Sequence, residues 1–203
     1  MVTAPSERYA YDLTGGRLCL DFANTVNRGS ANPTDHLRSY GDLLAFGAQT
    51  GIASPAVARE LGKRAAAHPA VARDALARAL ALREALFRIF AAIAAGRRPR
   101  PADLTLLNEH VPAAFARGRV AAARARFVLE VEPSPDDLLS LLAPIVKSAV
   151  DLLSADEVVR VRACAAATCD WLFIDTTKNH TRRWCDMKIC GNRAKVQRFR
   201  SRS

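Results

Sequence analysis

The sequence predicts a mainly α protein. A helical N-terminal domain with a small β-element is expected over residues 1–157, and a small four-cysteine module over residues 158–203. Three observations predict this. Apolar residues recur at helical spacing through most of the first 157 positions. Four of the five cysteines fall near the end of the chain as two matched pairs. The formal net charge of +10 is concentrated there too: residues 158–203 carry eleven Lys and Arg against three Asp, the rest of the chain nineteen basic against seventeen acidic side chains.

In chain order, residues 1–14 read as a loose leader. Gly16 to Val26 begins with a short extended stretch, and Asn27 to Asp35, with Gly29, Ser30, Asn32 and Pro33, reads as a loop. Ser39 and Asp42 make a capping box with Asp in the place of the usual Glu. The helix they open carries Leu43, Leu44 and Phe46 and stops near Gly51. Ser54 caps the next helix, with Pro55 at the first helical position, where its missing N–H costs nothing. The strongest helix is expected from about Ala70 to Ala95. Leu76, Leu80, Phe87 and Phe90 make one apolar stripe and Leu82, Leu86, Ile89 and Ile93 a second, so this helix should be central, with Arg83, Glu84 and Arg88 on its polar face. Gly96 ends it. Ala102 to Ala116 is a further helix with Leu104, Leu107 and Val111 inward. Arg124 to Glu132 alternates polar and apolar, the period of a half-buried strand. Ser134-Pro135 opens a last capped helix, with Asp136 and Asp137 in its first turn.

This domain shows no catalytic constellation. It has no glycine-rich phosphate loop and no nucleophile elbow, and His36, His68 and His110 lack ligand spacing. We therefore expect no enzyme. Asp21 and Asn24 flank an apolar run and are candidate lining for a small-ligand pocket. The commoner role for such residues, which we favour, is to cap a helix or satisfy a turn.

Cys164 and Cys169 have four residues between them, and Cys185 and Cys190 repeat that gap. Two short loops of this kind supply the four corners of a tetrahedral zinc site, and four thiolates leave no open position for water or substrate. One structural Zn2+ is expected, in a zinc-ribbon or treble-clef-like module. Two disulfides would satisfy the same count. Against them, Met1 to Ala10 is polar and lacks the apolar core of an export signal, so a reducing cytoplasm is the expected setting. No apolar run is long enough to span a membrane. Cys19, inside Leu18-Cys19-Leu20, reads as a small buried hydrophobe.

Residues 158–163 and 171–174 read as two short strands around the first cysteine loop. Trp171 and Phe173 share a face and supply the module's small core. Gly191 is expected to adopt positive φ beside Cys190, and Asn192 to cap a short basic helix with Val196 and Phe199 as its apolar spot. Four thiolates and one dication sum to about −2, leaving the module at about +6. Such a surface attracts polyanions, and Lys178, Arg182, Arg183, Arg193, Lys195, Arg198 and Arg200 are the candidate nucleic-acid contacts.

The module resembles the CGNR zinc-finger family, through Cys190-Gly191-Asn192-Arg193, the Cys164/Cys169 pair, Trp171-Leu172-Phe173-Ile174-Asp175, Arg182-Arg183-Trp184-Cys185 and Lys195. Leu20-Asp21-Phe22-Ala23-Asn24-Thr25 and Ala81-Leu82-Arg83-Glu84-Ala85-Leu86 resemble the helical ABATE domain that precedes this finger. The resemblance implies a bacterial transcription regulator linked to stress response, and the first reading is a DNA-binding regulator, with duplex DNA as partner and a small-molecule or protein effector at the helical domain. Two other readings stay open. One is RNA binding, with Trp171 or Trp184 stacking on bases. The other is a protein-interaction module whose arginines neutralise the thiolates and pair with Asp170, Asp175 and Asp186.

Overall fold

Seven α-helices and three two-stranded antiparallel sheets make up the described residues, 9–30, 32–116, 118–124 and 126–200, of a computed structural model. In chain order they are α1 (Leu18–Ala23), β1 (Val26–Asn27), β2 (Thr34–Asp35), α2 (Tyr40–Gln49), α3 (Pro55–Ala67), α4 (Pro69–Ala94), α5 (Pro101–Phe115), β3 (Arg119–Ala123), β4 (Arg126–Glu130), α6 (Leu142–Leu153), β5 (Val161–Ala163), β6 (Leu172–Ile174) and α7 (Asn192–Arg200). The protein is mainly helical, as expected.

Helix α4 is the axis of the fold. Leu82, Leu86, Ile89 and Phe90 are fully buried on it, and Ala72, Ala75, Ala79 and Ala85 let neighbouring helices approach closely. Helices α1, α2, α3 and α5 and the β5–β6 hairpin pack around it. Local start signals hold where they were expected. Ser39 and Asp42 form a reciprocal capping box on α2, Ser54 accepts the Val57 N–H on α3, and Gly51 and Gly96 take positive φ just past helix ends.

Other expectations are corrected. The stretch read as extended is helix α1, whose Cys19, Leu20, Phe22 and Ala23 are all completely buried. A six-residue, mostly buried run is too short to carry a period by which helix and strand could be told apart. The part of the leader that is described is docked: the Tyr11 hydroxyl donates to His36 O and Asp42 O, and the Gln49 amide exchanges two hydrogen bonds with the Tyr11 backbone. Residues 1–8 lie outside the described residues. The 27–35 loop is pinned at its ends by β1 and β2. The strand expected over 124–132 is β4, and its partner β3 is an alanine-rich segment with no strand signal of its own. The last helix starts later than Ser134. Asp137 accepts the Leu139 N–H and caps a single 3-10 turn, Leu138–Leu141, which runs into α6.

Arg83, expected on the polar face of α4, is 3 % exposed. Its guanidinium grips Asp35 through two bonds of 2.7 Å and also reaches Glu84, tying α4 to the β1–β2 hairpin. A second buried charge sits at the start of α5. Asp103 accepts from Arg88 and Arg100. Hydrogen bonds from Arg100, then from Arg88, hold its carboxyl down at about 2. The folded value lies below the unfolded one, so this contribution is complete above pH 4 and is lost as pH falls through 2. Both arginines are partly solvated, which reduces it to about 1–2 kcal/mol. In Asp103→Asn, melting temperature should therefore depend less on pH between 4 and 2 than in the parent, a difference read by calorimetry.

Candidate metal centre and basic surface

The first cysteine pair sits on the turn between β5 and β6. Cys164 N–H donates to Trp171 O, and Cys169 N–H to Ala166 O, closing the loop around the sulfurs. The second pair is built differently. Asp186 accepts the Ile189 N–H through its side chain and the Cys190 and Gly191 N–H groups through its carbonyl. This caps a π-turn, Met187–Gly191, that continues unbroken into α7. One ligand pair thus comes from a hairpin loop and the other from the turn opening a helix, the treble-clef-like arrangement.

Two local expectations change here. Asn192 is not the cap: its φ of −67° and ψ of −40° are helical, and its amide donates to Lys188 O. Gly191 does not take positive φ; a Cβ there would come within 2.5 Å of Met187 Sδ. The exposed Met187 side chain can swing away, so the need for glycine is mild.

The four sulfurs lie within 4.8 Å of one another. Cys169–Cys185 and Cys185–Cys190 are each 3.7 Å apart. Zinc bound about 2.3 Å from each sulfur gives tetrahedron edges of about 3.8 Å, so the site fits the ion. A disulfide needs about 2.05 Å, and all four thiols are free. Without a cation the sulfurs compete for ionisation. Hydrogen bonds from Cys169 and Cys185 hold the Cys164 thiol far down. Donating to it, and then burial, push Cys169 and Cys185 up, and burial chiefly raises Cys190. A divalent ion removes that competition. His180 sits on an exposed turn outside the cluster.

The finger is fused to the helical domain along β6. Strand alternation splits its side chains between two cores: Phe173 packs with the cysteines and with Trp171 and Trp184, whereas Leu172 and Ile174 join the core around α4. The free edge of β6 is covered. Asn24, completing α1, donates its amide to Leu172 O and accepts Leu172 N–H, both at 2.9 Å, and Gly15 O accepts Ile174 N–H. One side chain thereby does the work of a neighbouring strand. Trp171 Nε1–H donates to Val26 O, and a Cβ on Gly29 would meet the Cys169 backbone at 2.8 Å.

A model of the ABATE family, described as "Putative stress-induced transcription regulator", matches residues 16–156, and that of the CGNR zinc finger matches residues 160–203. The chain belongs to the ABATE family. No curated protein matches the sequence.

In this ABATE protein the four signature residues divide the labour. Cys190 is one of the four cysteines placed to hold the metal, Gly191 leaves room for Met187, Asn192 ties the π-turn to α7, and Arg193 reaches across to Thr168 Oγ1 on the first cysteine loop. Lys178, Arg183, Lys195 and Arg200 are exposed, and Arg183 lies over the Trp184 ring. Arg193 is exposed apart from that contact. The Arg198 side chain lies outside the described residues. Arg182 is turned inward: it stacks on Phe173 and donates to the carbonyls of Trp184 and Cys185, so it buttresses the finger instead of facing solvent. Lys188 is an exposed cation that sequence reasoning passed over. Its lack of any periodic partner hid it.

Asp21 and Asn24, the candidate pocket lining for which a cap or turn role was favoured, make their hydrogen bonds within the fold. Asp21 Oδ1 accepts Gly15 N–H, and burial pushes its carboxyl up to about 6. Asn24 is the β6 clamp. Asp175, considered as an arginine partner, is buried and accepts the Thr177 and Arg182 backbone N–H groups.

Proposed function

We propose that this ABATE protein is a DNA-binding transcription regulator that engages duplex through Lys178, Arg183, Lys188, Arg193, Lys195 and Arg200. The supporting observation is the division of the finger's polar groups. The hairpin edge and Arg182 are committed to the fold, while Lys178 and Arg183 stand in solvent on the 175–184 turn, Lys188 on the π-turn, and Arg193, Lys195 and Arg200 on α7. A rigid basic helix behind a zinc turn is a device for lying across phosphates or entering a groove. The zinc is read as structural, without catalysis, because its shell is closed by sulfur. No described helix is long and apolar enough to cross a membrane, and we place the protein in the cytoplasm.

The RNA reading loses one support, because Trp171 is packed and its indole N–H already has a partner. The test is binding of zinc-loaded protein to labelled duplex over a range of salt. Arg183→Glu, Lys195→Glu and Arg200→Glu combined should lower affinity by at least about 100-fold and reduce the salt slope by about 3, with zinc content and circular dichroism retained. Unchanged affinity would turn the reading toward a protein-interaction module. Preference for single-stranded RNA in competition would turn it toward RNA.

A further inference from the structure

The β3–β4 hairpin packs chiefly against itself rather than against the helices. A lone two-stranded sheet is marginal in water, and three or more strands with an apolar face are the stable form. One face of this hairpin is apolar throughout, carrying the cross-strand pairs Val120–Leu129 and Ala122–Phe127. Phe127, with only an alanine opposite, is 77 % exposed, and Val120 is 72 % exposed.

The outer edge of β4 is open as well. Ala123 and Arg126 close the hairpin, so theirs is a hydrogen-bonded pair and the pairs alternate from there. Arg126, Val128 and Glu130 therefore turn their N–H and C=O toward β3, and Phe127 and Leu129 turn theirs away from it. Among the described residues no hydrogen bond reaches those outward groups.

An open edge is a template for another strand, and natural sheets commonly blunt it with charge. Here the charge is arranged to fit itself. Around Val128 the sequence is antisymmetric: Arg126 mirrors Glu130, Phe127 mirrors Leu129, and beyond the strand Arg124 mirrors Glu132. A second β4 laid antiparallel on this edge, about a twofold through Val128, sets each Arg126 opposite the other copy's Glu130. The outward N–H and C=O groups of Phe127 and Leu129 then bond between copies, with Val128 facing Val128 at the non-hydrogen-bonded position between them. Sliding the copies by two residues sets Arg126 or Glu130 opposite Val128, so the charges select one register. Arg126 is exposed, and Arg119 engages only one of the two Glu130 oxygens, at 2.7 Å. Strand β3, with Arg119 as its single charge, has no such symmetry.

We propose that two copies of this chain pair through the outer edges of β4, antiparallel about Val128, to make a four-stranded sheet. Phe127 then stands beside the other copy's Leu129 on a shared apolar face, and the two basic fingers belong to one twofold particle. The pairing does not depend on what the finger binds.

The test uses the full zinc-loaded chain without nucleic acid, in sedimentation equilibrium over about 1 μM to 1 mM. A reversible monomer–dimer equilibrium is expected. Arg126→Glu sets two acids opposite each other and Glu130→Arg two bases, so each variant alone should dimerise at least about tenfold more weakly, a change of about 1.4 kcal/mol. An equimolar mixture of the two restores every opposite-charge pair and should recover dimers of parental strength, which misfolding of either variant cannot mimic. Val128→Cys should form an interchain disulfide on mild oxidation, because Cα atoms facing each other at that position are about 4.5 Å apart, while Val120→Cys should not. The proposal is overturned if the parent is monomeric throughout, if Arg126→Glu dimerises like the parent, or if a mixture of folded variants stays as weak as its components. Should either charge variant fail to fold, the Val128→Cys crosslink decides, and its absence overturns the pairing.

Discussion

Removing zinc, by chelation or by Cys185→Ser, is expected to unfold the finger and to weaken the helical domain with it. The module has little core of its own: Phe173, Cys164, Cys185, Cys190 and Ala166, with Trp171 and Trp184 against them. Metal binding in comparable small sites supplies about 10–16 kcal/mol of apparent folding free energy, far beyond what such a core provides. The damage should also spread. Val161, Leu172 and Ile174 belong to the core around α4, and the Leu172 and Ile174 N–H groups are bonded to Asn24 and Gly15. Losing β6 exposes apolar surface on α1 and α4. The expected readouts are a red shift of tryptophan emission, faster amide exchange at Leu172 and Ile174, and a lower melting temperature for the helical part. An unchanged melting temperature and exchange pattern for residues 9–153 would show that the two parts are thermodynamically separate.

Asn24→Ala is expected to destabilise the zinc-loaded protein by about 2–4 kcal/mol. The substitution deletes two hydrogen bonds and strands the Leu172 N–H and C=O in a buried setting, at about 1–3 kcal/mol for each unsatisfied group. Asn24→Asp adds a sign check. An ionised carboxylate keeps the acceptor for Leu172 N–H but faces Leu172 O without a proton. Its folded pKa should therefore be raised above the unfolded value of about 3.9. Stability of this variant is then greatest below pH 4 and declines as pH rises through the raised value, a trend absent in Asn24→Ala. Urea unfolding of both variants at several pH values measures it, and parallel pH profiles would count against the clamp.

Much of the helical scaffold could be read in advance because its signals are local. The two stripes of α4, the Ser39–Asp42 box and the Ser54-Pro55 start each lie within a few residues of what they control. The misses share one cause. Helix α1 is short and apolar apart from Asp21, β3 is mostly alanine, and Arg83 and Arg182 are charged groups whose buried partners come from elsewhere in the chain or from the backbone of a neighbouring loop. Asn24 is the plainest case. As a residue at the end of an apolar run it reads as a turn or cap, yet its amide meets a strand 148 positions away.

The cysteine spacing, the composition of the first residues and the placement of Lys and Arg together pointed to a closed zinc site and a positively charged end, because ligand number, sulfur chemistry and charge are properties of composition and short-range order. Which cations face outward, which one buttresses the metal, and that the finger is welded through β6 to the helices followed only from the packed chain. Those outcomes turn on the need to satisfy buried backbone groups and to divide the two faces of a short strand between two cores. Neither requirement exists until distant segments meet.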